Sequence, residues 1–214
     1  WQPDLDAIAP YKPSLILLPK TGSAADVQEA DAYISQVEAS LGFDRNTVGL
    51  MPLIETAMGV ENAFAIASAS KRVGALFLGA EDLTADLQCK RTKESREIEY
   101  ARGRLVVAAR AAGVDVYDTP FTDVNDAEGM EADARYAKAM GFQSIDFNID
   151  LKMPVGKIVK QQTGPFDTFF SQSEEEIVAY FRPLKDAIEQ TGVTVDQMHA
   201  PFPCYVPGMD EVNE

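Results

Sequence analysis

The chain has 214 residues, 46% of them hydrophobic, and a formal net charge of −15 at pH 7. Length and apolar content of this order allow a sizeable core in one domain, and the negative charge repels nucleic-acid phosphates and anionic lipid, so neither nucleic acid nor membrane is an expected partner. Cys89 and Cys204 are too few for a disulfide framework and fit a reducing, cytoplasmic setting, no apolar run reaches the length of a membrane span, and a start at Trp1 without signal-peptide character reads as a trimmed or excerpted chain.

Residues 1–11 are Pro-rich and read as an entry loop. Residues 14–19, SLILLP, form an apolar strand that ends at Lys20. Residues 23–41 then place Val27, Ala30, Ile34, Val37 and Leu41 on one helical face, with Ser23 and Asp26 as the N-terminal cap and Gly42 as the stop. A second strand, 48–55, ends at Glu55, and Val60, Ala63, Phe64 and Ala67 give the helix after it an apolar stripe. The third strand, 73–79, leads to Glu81 and Asp82. Residues 86–95 are polar and read as a long loop above this end of the sheet, followed by a helix with Ile98, Ala101, Leu105 and Ala108 on one side and Gly113 at its end. A fourth strand, 114–117, ends at Asp118. A helix from about 125 to 140 stops at Gly141, and residues 144–149 alternate like a strand. Ser173 and Glu176 make a capping-box signature for a helix carrying Ile177, Tyr180, Phe181, Leu184 and Ile188, which Pro183 kinks or restarts. Gly192 ends it, and 193–198 is a sixth strand ending at His199.

Strands alternating with helices at this spacing predict a parallel sheet with right-handed crossovers, an α/β fold of the TIM-barrel type. Lys20, Glu55, Asp82, Asp118, Asp150 and His199 then share the rim at the strands' C-terminal ends. Six βα units are recognisable where a closed barrel has eight, so the barrel is incomplete or a partner chain completes it, which predicts a homo-oligomer.

Glu55 and Asp82 lie one crossover apart, so they arrive side by side, and hard oxygen ligands without Cys or His favour Mg²⁺ or Mn²⁺. Glu55 also fits a structural ion pair with an Arg or Lys at the barrel end. Lys20 fits a Schiff-base lysine or a charge on the phosphate side of a ligand. Asp118 fits the orientation of a neighbouring loop. His199 is the single histidine, which excludes a multi-His zinc centre within one chain and suits a hydrogen-bonded structural role. Lys90, Arg91, Lys93 and Arg96 fit either a site for the phosphates of a CoA thioester or a solvated loop. Phe166, Phe169 and Phe170 read as packing.

From about residue 15 to 141 the chain resembles the citrate lyase beta-subunit family, with its malyl-CoA lyases and related metal-dependent aldolases. The resemblance rests on Leu18-Pro19-Lys20, Leu53-Ile54-Glu55-Thr56-Ala57 with Gly59, Gly79-Ala80-Glu81-Asp82-Leu83, Tyr100-Ala101-Arg102, the run from Ala108 to Gly113, and Asp118-Thr119 followed by Phe121-Thr122-Asp123. It implies Mg²⁺ on Glu55 and Asp82, the carboxylate of a 2-oxo acid against the backbone of Gly79, Ala80, Glu81 and Asp82, and C–C cleavage or condensation on a 2-oxo acid or CoA thioester. The family's early-strand Arg and its Ile-His-Pro strand do not appear, which predicts an impaired activity. Beyond Gly141-Phe142, Ile145-Asp146-Phe147-Asn148 and Gln197-Met198-His199-Ala200-Pro201-Phe202-Pro203 resemble the start of a xylose-isomerase-like barrel. That resemblance puts His199 beside a substrate and implies a chimera of a citrate-lyase-like part, 1–141, and a sugar-isomerase-like part, 142–214. Three expectations therefore stand together: a lyase, a catalytically silent scaffold, and a sugar isomerase or epimerase.

Overall fold

The computed structural model describes residues 1–121, 123, 126–148, 173–192 and 194–199. Asp150, Phe166, Phe169, Phe170, Cys204 and residues 200–203 of the His-Ala-Pro stretch lie outside the described residues. The described residues divide between two compact units, Trp1–Thr119 with Ala139–Gln143, and those within Pro120–Lys138 and Ser144–Glu214.

The first unit carries four parallel strands, β1 (Leu15–Leu18), β2 (Gly49–Ile54), β3 (Ala75–Leu78) and β4 (Asp115–Asp118). Leu15 lies opposite Gly49, Leu53 opposite Phe77, and Ala75 opposite Asp115, so each strand pairs with the next in sequence. All four residues of β3 are buried, as a strand covered on both faces requires, which is why it reads as an unbroken apolar run rather than an alternating one. Met51, Ala75 and Phe77 form a core cluster against which Leu15, Leu17, Leu53 and Tyr117 pack.

Helix α1 (Gln2–Ile8) and a 3₁₀ turn (Ala9–Tyr11) replace the expected entry loop, because a proline in the first turn has no amide to lose there. Helix α2 (Ala24–Ser40) opens with the expected capping box, in which Ser23 Oγ accepts from Asp26 N and Asp26 Oδ2 accepts from Ser23 N at 2.8 Å. Its buried face is Val27, Ala30, Ile34 and Glu38, whereas Leu41, expected on that face, is 39% exposed. The single helix expected after β2 is two, α3 (Ala57–Glu61) and α4 (Ala63–Ala67), and Ile66 rather than Phe64 faces the core. Glu81 and Asp82, expected at the end of the third strand, instead lie in a further helix, α5 (Ala80–Asp86), that precedes the expected loop at 86–95. In α6 (Glu99–Ala112), Ala101, Leu105 and Ala108 are buried with Ile98 just before it, as their spacing requires.

A charged knot ties the N-terminal ends of β2 and β3 to α2. Arg72 donates to Glu38 through Nη1 and Nη2 at 2.7 and 2.6 Å, to Val48 O at 2.9 Å and to Ser35 Oγ at 2.9 Å, and its Nε pairs with Asp31. Glu38 in turn accepts from Val48 N at 2.9 Å and Asn46 N at 3.1 Å. Burial opposes the charge on each of these groups, yet their mutual hydrogen bonds outweigh it, so Arg72 is raised and Glu38 and Asp31 are lowered from their ordinary pKa values.

Helix α7 (Ala127–Met140), which belongs to the second unit as far as Lys138, precedes β5 (Ser144–Asn148), and α8 (Glu174–Thr191) precedes β6 (Thr194–His199). Strands β5 and β6 are parallel, with an irregularity between Ile145 and Asp146 that sets Asn148 opposite His199. Ser173 and Glu176 form the expected capping box, and α8 runs without a break through Pro183. No described helix is long and apolar enough to cross a membrane.

Candidate active site

Three chain turns at the C-terminal ends of β1, β2 and β3 meet around two carboxylates. Glu55 directly follows β2 and is 6% exposed, while Asp82 sits four residues past β3, in the first turn of α5 rather than on the strand. Lys20 contacts both side chains, and each carboxylate acts on the charge of the other. Burial pushes the Glu55 carboxyl above its ordinary range, and the charge of Asp82 adds to that push, although the Lys20 amide works against it. Asp82 moves the other way, lowered by its hydrogen bond from the Lys20 ammonium.

Lys20 touches both acids. Its backbone N donates to Glu55 Oε1 at 2.8 Å, and its Nζ forms an ion pair with Asp82 Oδ2. The residue adopts φ 53°, a left-handed turn that aims its amide at Glu55, and Thr21 N then donates to Leu53 O at 3.3 Å. The rim ion pair considered for Glu55 therefore falls on Asp82, with Lys20 as the cation.

The close approach of these turns needs two glycines. A Cβ at Gly79 would lie 2.8 Å from Glu55 Cβ and 3.0 Å from its Oε2, and one at Gly59 would lie 2.6 Å from Thr21 O. Gly79 N donates to Ile54 O at 3.0 Å and Ala80 N to Thr119 Oγ1 at 3.3 Å, so both amides hold the turn in place. Four more groups fix the frame, of which Thr56 and Thr119 lie in motifs singled out in the sequence and Asn62 and Asp86 carry no local signal. Thr56 Oγ1 accepts from Gly59 N at 3.1 Å, Asn62 Nδ2 donates to Gly22 O at 2.8 Å, Asp86 Oδ2 accepts from Ala57 N at 2.7 Å, and Thr119 supplies its hydroxyl to Ala80.

Asp118, at the end of β4, is buried and paired with the buried Arg102, Oδ1 accepting from Nε at 3.1 Å and Oδ2 lying 2.8 Å from Nη2. Its position beside Thr119 suits the expected role of orienting a neighbouring loop. The basic loop is only partly solvated. Arg91 is drawn in between Glu81, at 3.5 Å, and Glu97, at 2.8 Å, while Lys90 and Arg96 are exposed. His199 ends β6 in the second unit, and its side chain lies outside the described residues.

Among the described residues no group of three or more His, Cys, Asp and Glu side chains could hold a metal ion. Two carboxylates still suit Mg²⁺, which keeps several waters and takes one or two protein carboxylates with substrate oxygens completing the shell. The burial that raises Glu55, with a smaller push from the Asp82 charge, and the ammonium already drawn to Asp82 mark the spot as one that a cation stabilises.

A parallel α/β sheet of TIM-barrel-like type, with paired acids where successive strands end, is the architecture of metal-assisted carbonyl chemistry. The chain belongs to the HpcH/HpaI aldolase/citrate lyase family, whose pattern matches residues 1–148. It is 35% identical over 139 residues to the citrate lyase subunit beta of Escherichia coli K12, covering 65% of this chain and 46% of that protein. It is 30% identical over 177 residues to the mitochondrial citramalyl-CoA lyase of Homo sapiens, covering 78% of this chain and 51% of that one. The chain thus spans about half the length of the curated relatives it matches. The citrate lyase beta subunit of M. tuberculosis, in complex with oxaloacetate and magnesium, superposes with a TM-score of 0.55 at 32% identity, over 67% of this chain and 59% of that one. Malate synthase of Haloferax volcanii, at 18% identity and a TM-score of 0.60 over 89% of this chain and 62% of that one, shares the fold.

These likenesses remove the support for a chimera. An alignment covering 78% of the chain runs through residues 130–160 wherever it begins, so one lyase relative bridges the expected junction at 141–142. The sugar-isomerase reading of residues 142–214 has no support either.

Proposed function

We propose that this chain carries the metal-binding half of a carbon–carbon lyase acting on a 2-oxo acid or a CoA thioester, with Mg²⁺ or Mn²⁺ held by Glu55 and Asp82. The observation that carries the reading is the pair itself: two acids from adjacent βα turns, one buried and raised, facing each other at the strand ends. The magnesium and oxaloacetate in the M. tuberculosis relative support the choice of cation and substrate class. The cation would supply Lewis-acid stabilisation of negative charge on the substrate oxygen as the C–C bond breaks.

The chain's own residues do the rest. Lys20 N–H orients the Glu55 carboxylate, Gly79 gives it room, and Thr119 holds the Gly79–Ala80 turn. The substrate carboxylate is proposed to lie against this turn, near Glu81 and Asp82 in the first turn of α5, where helix amides point outward without intrahelical partners. The Lys20 ammonium, 61% exposed, is proposed to face the anionic part of the substrate.

The test is calorimetric titration of the full chain and of Glu55→Gln with Mg²⁺ and Mn²⁺, joined to assays of oxaloacetate, malyl-CoA and citramalyl-CoA turnover. Metal binding lost in the variant supports the site. Equal binding by both proteins counts against it, and binding without turnover of any substrate favours the silent scaffold.

A further inference from the structure

We infer that Lys20 is a resident counter-ion of the metal site: its ammonium occupies Asp82 while no divalent cation is bound, and it must leave that carboxylate when one arrives. The inference rests on the metal reading of Glu55 and Asp82 given above and adds a competition to it.

The geometry sets up the exchange. Lys20 is attached to the site at two points of different character. Its backbone N–H to Glu55 Oε1, at 2.8 Å, belongs to a left-handed turn whose following residues are held by Thr21 N to Leu53 O and Asn62 Nδ2 to Gly22 O. Its ammonium, by contrast, reaches Asp82 on a flexible four-carbon stem, with the two side chains 61% and 51% exposed. The first contact persists through any movement of the side chain, and the second breaks without backbone motion.

Asp82 accepts that ion pair through Oδ2, and its carboxylate is one of the two proposed metal ligands. A single carboxylate does not serve an ammonium and a divalent cation at full strength together, because the two positive charges repel at close range. Without the ammonium, Glu55 and Asp82 would face each other with no neighbouring side-chain cation described in contact with either, so the lysine keeps the pair assembled in the metal-free protein. Once displaced, the same side chain stands at the edge of the site with its charge available to an anionic group of the substrate. Metal arrival and the release of a substrate-binding cation are then one event.

The energetic scale is small, because exposed ion pairs contribute little. Removing the ammonium should tighten metal binding by about two- to fivefold. The experiment titrates Mn²⁺ into the full chain, reading free aqueous Mn²⁺ by electron paramagnetic resonance, for the wild type and for Lys20→Met, Lys20→Arg, Arg91→Met and Glu55→Gln. Each substitution at position 20 keeps the backbone N–H, and a thermal melt without metal confirms that each variant is folded.

The expected pattern is tighter binding in Lys20→Met, near-wild-type binding in Lys20→Arg, little change in Arg91→Met and loss in Glu55→Gln. Unchanged or weaker binding in Lys20→Met, with loss in Glu55→Gln, overturns the counter-ion inference and leaves the metal site standing. Equal tightening in Arg91→Met and Lys20→Met overturns it as well, since a general relief of positive charge then explains both. Absence of Mn²⁺ binding in the wild type, or wild-type binding in Glu55→Gln, removes the metal reading and this inference with it.

Discussion

Gly79 stands so close to Glu55 that a β-carbon at position 79 would fall 2.8 Å from the β-carbon of Glu55 and 3.1 Å from Leu53 Cδ1. The first of those atoms is fixed to the backbone of the residue after β2 and has no rotamer by which to escape, so the turn into α5 or the end of β2 must shift. Asp82 rides on that turn. Gly79→Ala should therefore separate the two carboxylates while leaving most of the core intact, with a stability cost of about 1–3 kcal/mol and a loss of Mn²⁺ affinity of about 10- to 100-fold. Gly74→Ala is the control, because the nearest atom to its added methyl is the side-chain terminus of Leu15 at 3.1 Å, which can move. Metal titration and urea unfolding of the two variants side by side check the difference.

Arg72 and Glu38 make the opposite case, a charged pair whose role is stability. Their side chains are 0% and 1% exposed, and they join α2 to the starts of β2 and β3, at the other end of the strands from Glu55. Arg72→Met should destabilise the chain by roughly 3–5 kcal/mol, because the Glu38 carboxylate stays buried without its guanidinium. The double variant Arg72→Met/Glu38→Leu should recover part of that loss, since the unpaired charge is gone while the amides of Val48 and Asn46 still lack their acceptor. Chemical unfolding measures both, and Mn²⁺ affinity at a temperature where each variant is folded should remain at the wild-type value.

The contrast between these two places explains what was legible in the sequence. Strands β1 to β3 are readable because each is a short apolar run followed by a polar residue, and β3, buried on both faces, shows no alternation, whereas β4, DVYD, is marked by its place between Gly113 and Asp118. Glu55 could be read for the same reason, since a carboxylate directly after such a run lands at the strand's C-terminal end. Asp82 was placed in the right company but on the wrong element. Ala80–Asp86 is short and acidic and carries little apolar periodicity, so Glu81 and Asp82 read as the end of the preceding strand, and the segment is helical in the setting of its packing and of Thr119. Glu38 escaped notice because an acid on an apolar face has no local signature. Its partner Arg72 lies 34 residues away, and only the fold joins them. The pairing of Lys20 with Asp82 was invisible for a similar reason: it depends on a left-handed turn at Lys20, and nothing in Pro19-Lys20-Thr21-Gly22 announces which residue takes it.

Glu97 provides a pH test of the loop beside the site. Burial alone would raise its carboxyl, but the amide and hydroxyl of Thr92, at 2.8 and 2.7 Å, and the Arg91 guanidinium, at 2.8 Å, hold it at about 2 against an ordinary value of 4.5. A folded-state pKa below the unfolded one means that the unfolded chain takes up the proton first as pH falls. The contribution of Glu97 is thus complete above about pH 4.5 and declines as pH drops towards about 2. Glu97→Gln should cost about 1–3 kcal/mol at neutral pH. The gap between variant and wild type should then narrow steadily across that acid window rather than stay constant. Because Arg91 also reaches Glu81 at 3.5 Å, next to Asp82, losing the Glu97 anchor should loosen residues 87–95 ahead of the sheet. Unfolding curves at several pH values, with hydrogen exchange of the loop amides at neutral pH, test both statements, and a gap independent of pH would show that Glu97 is not held ionised by these partners.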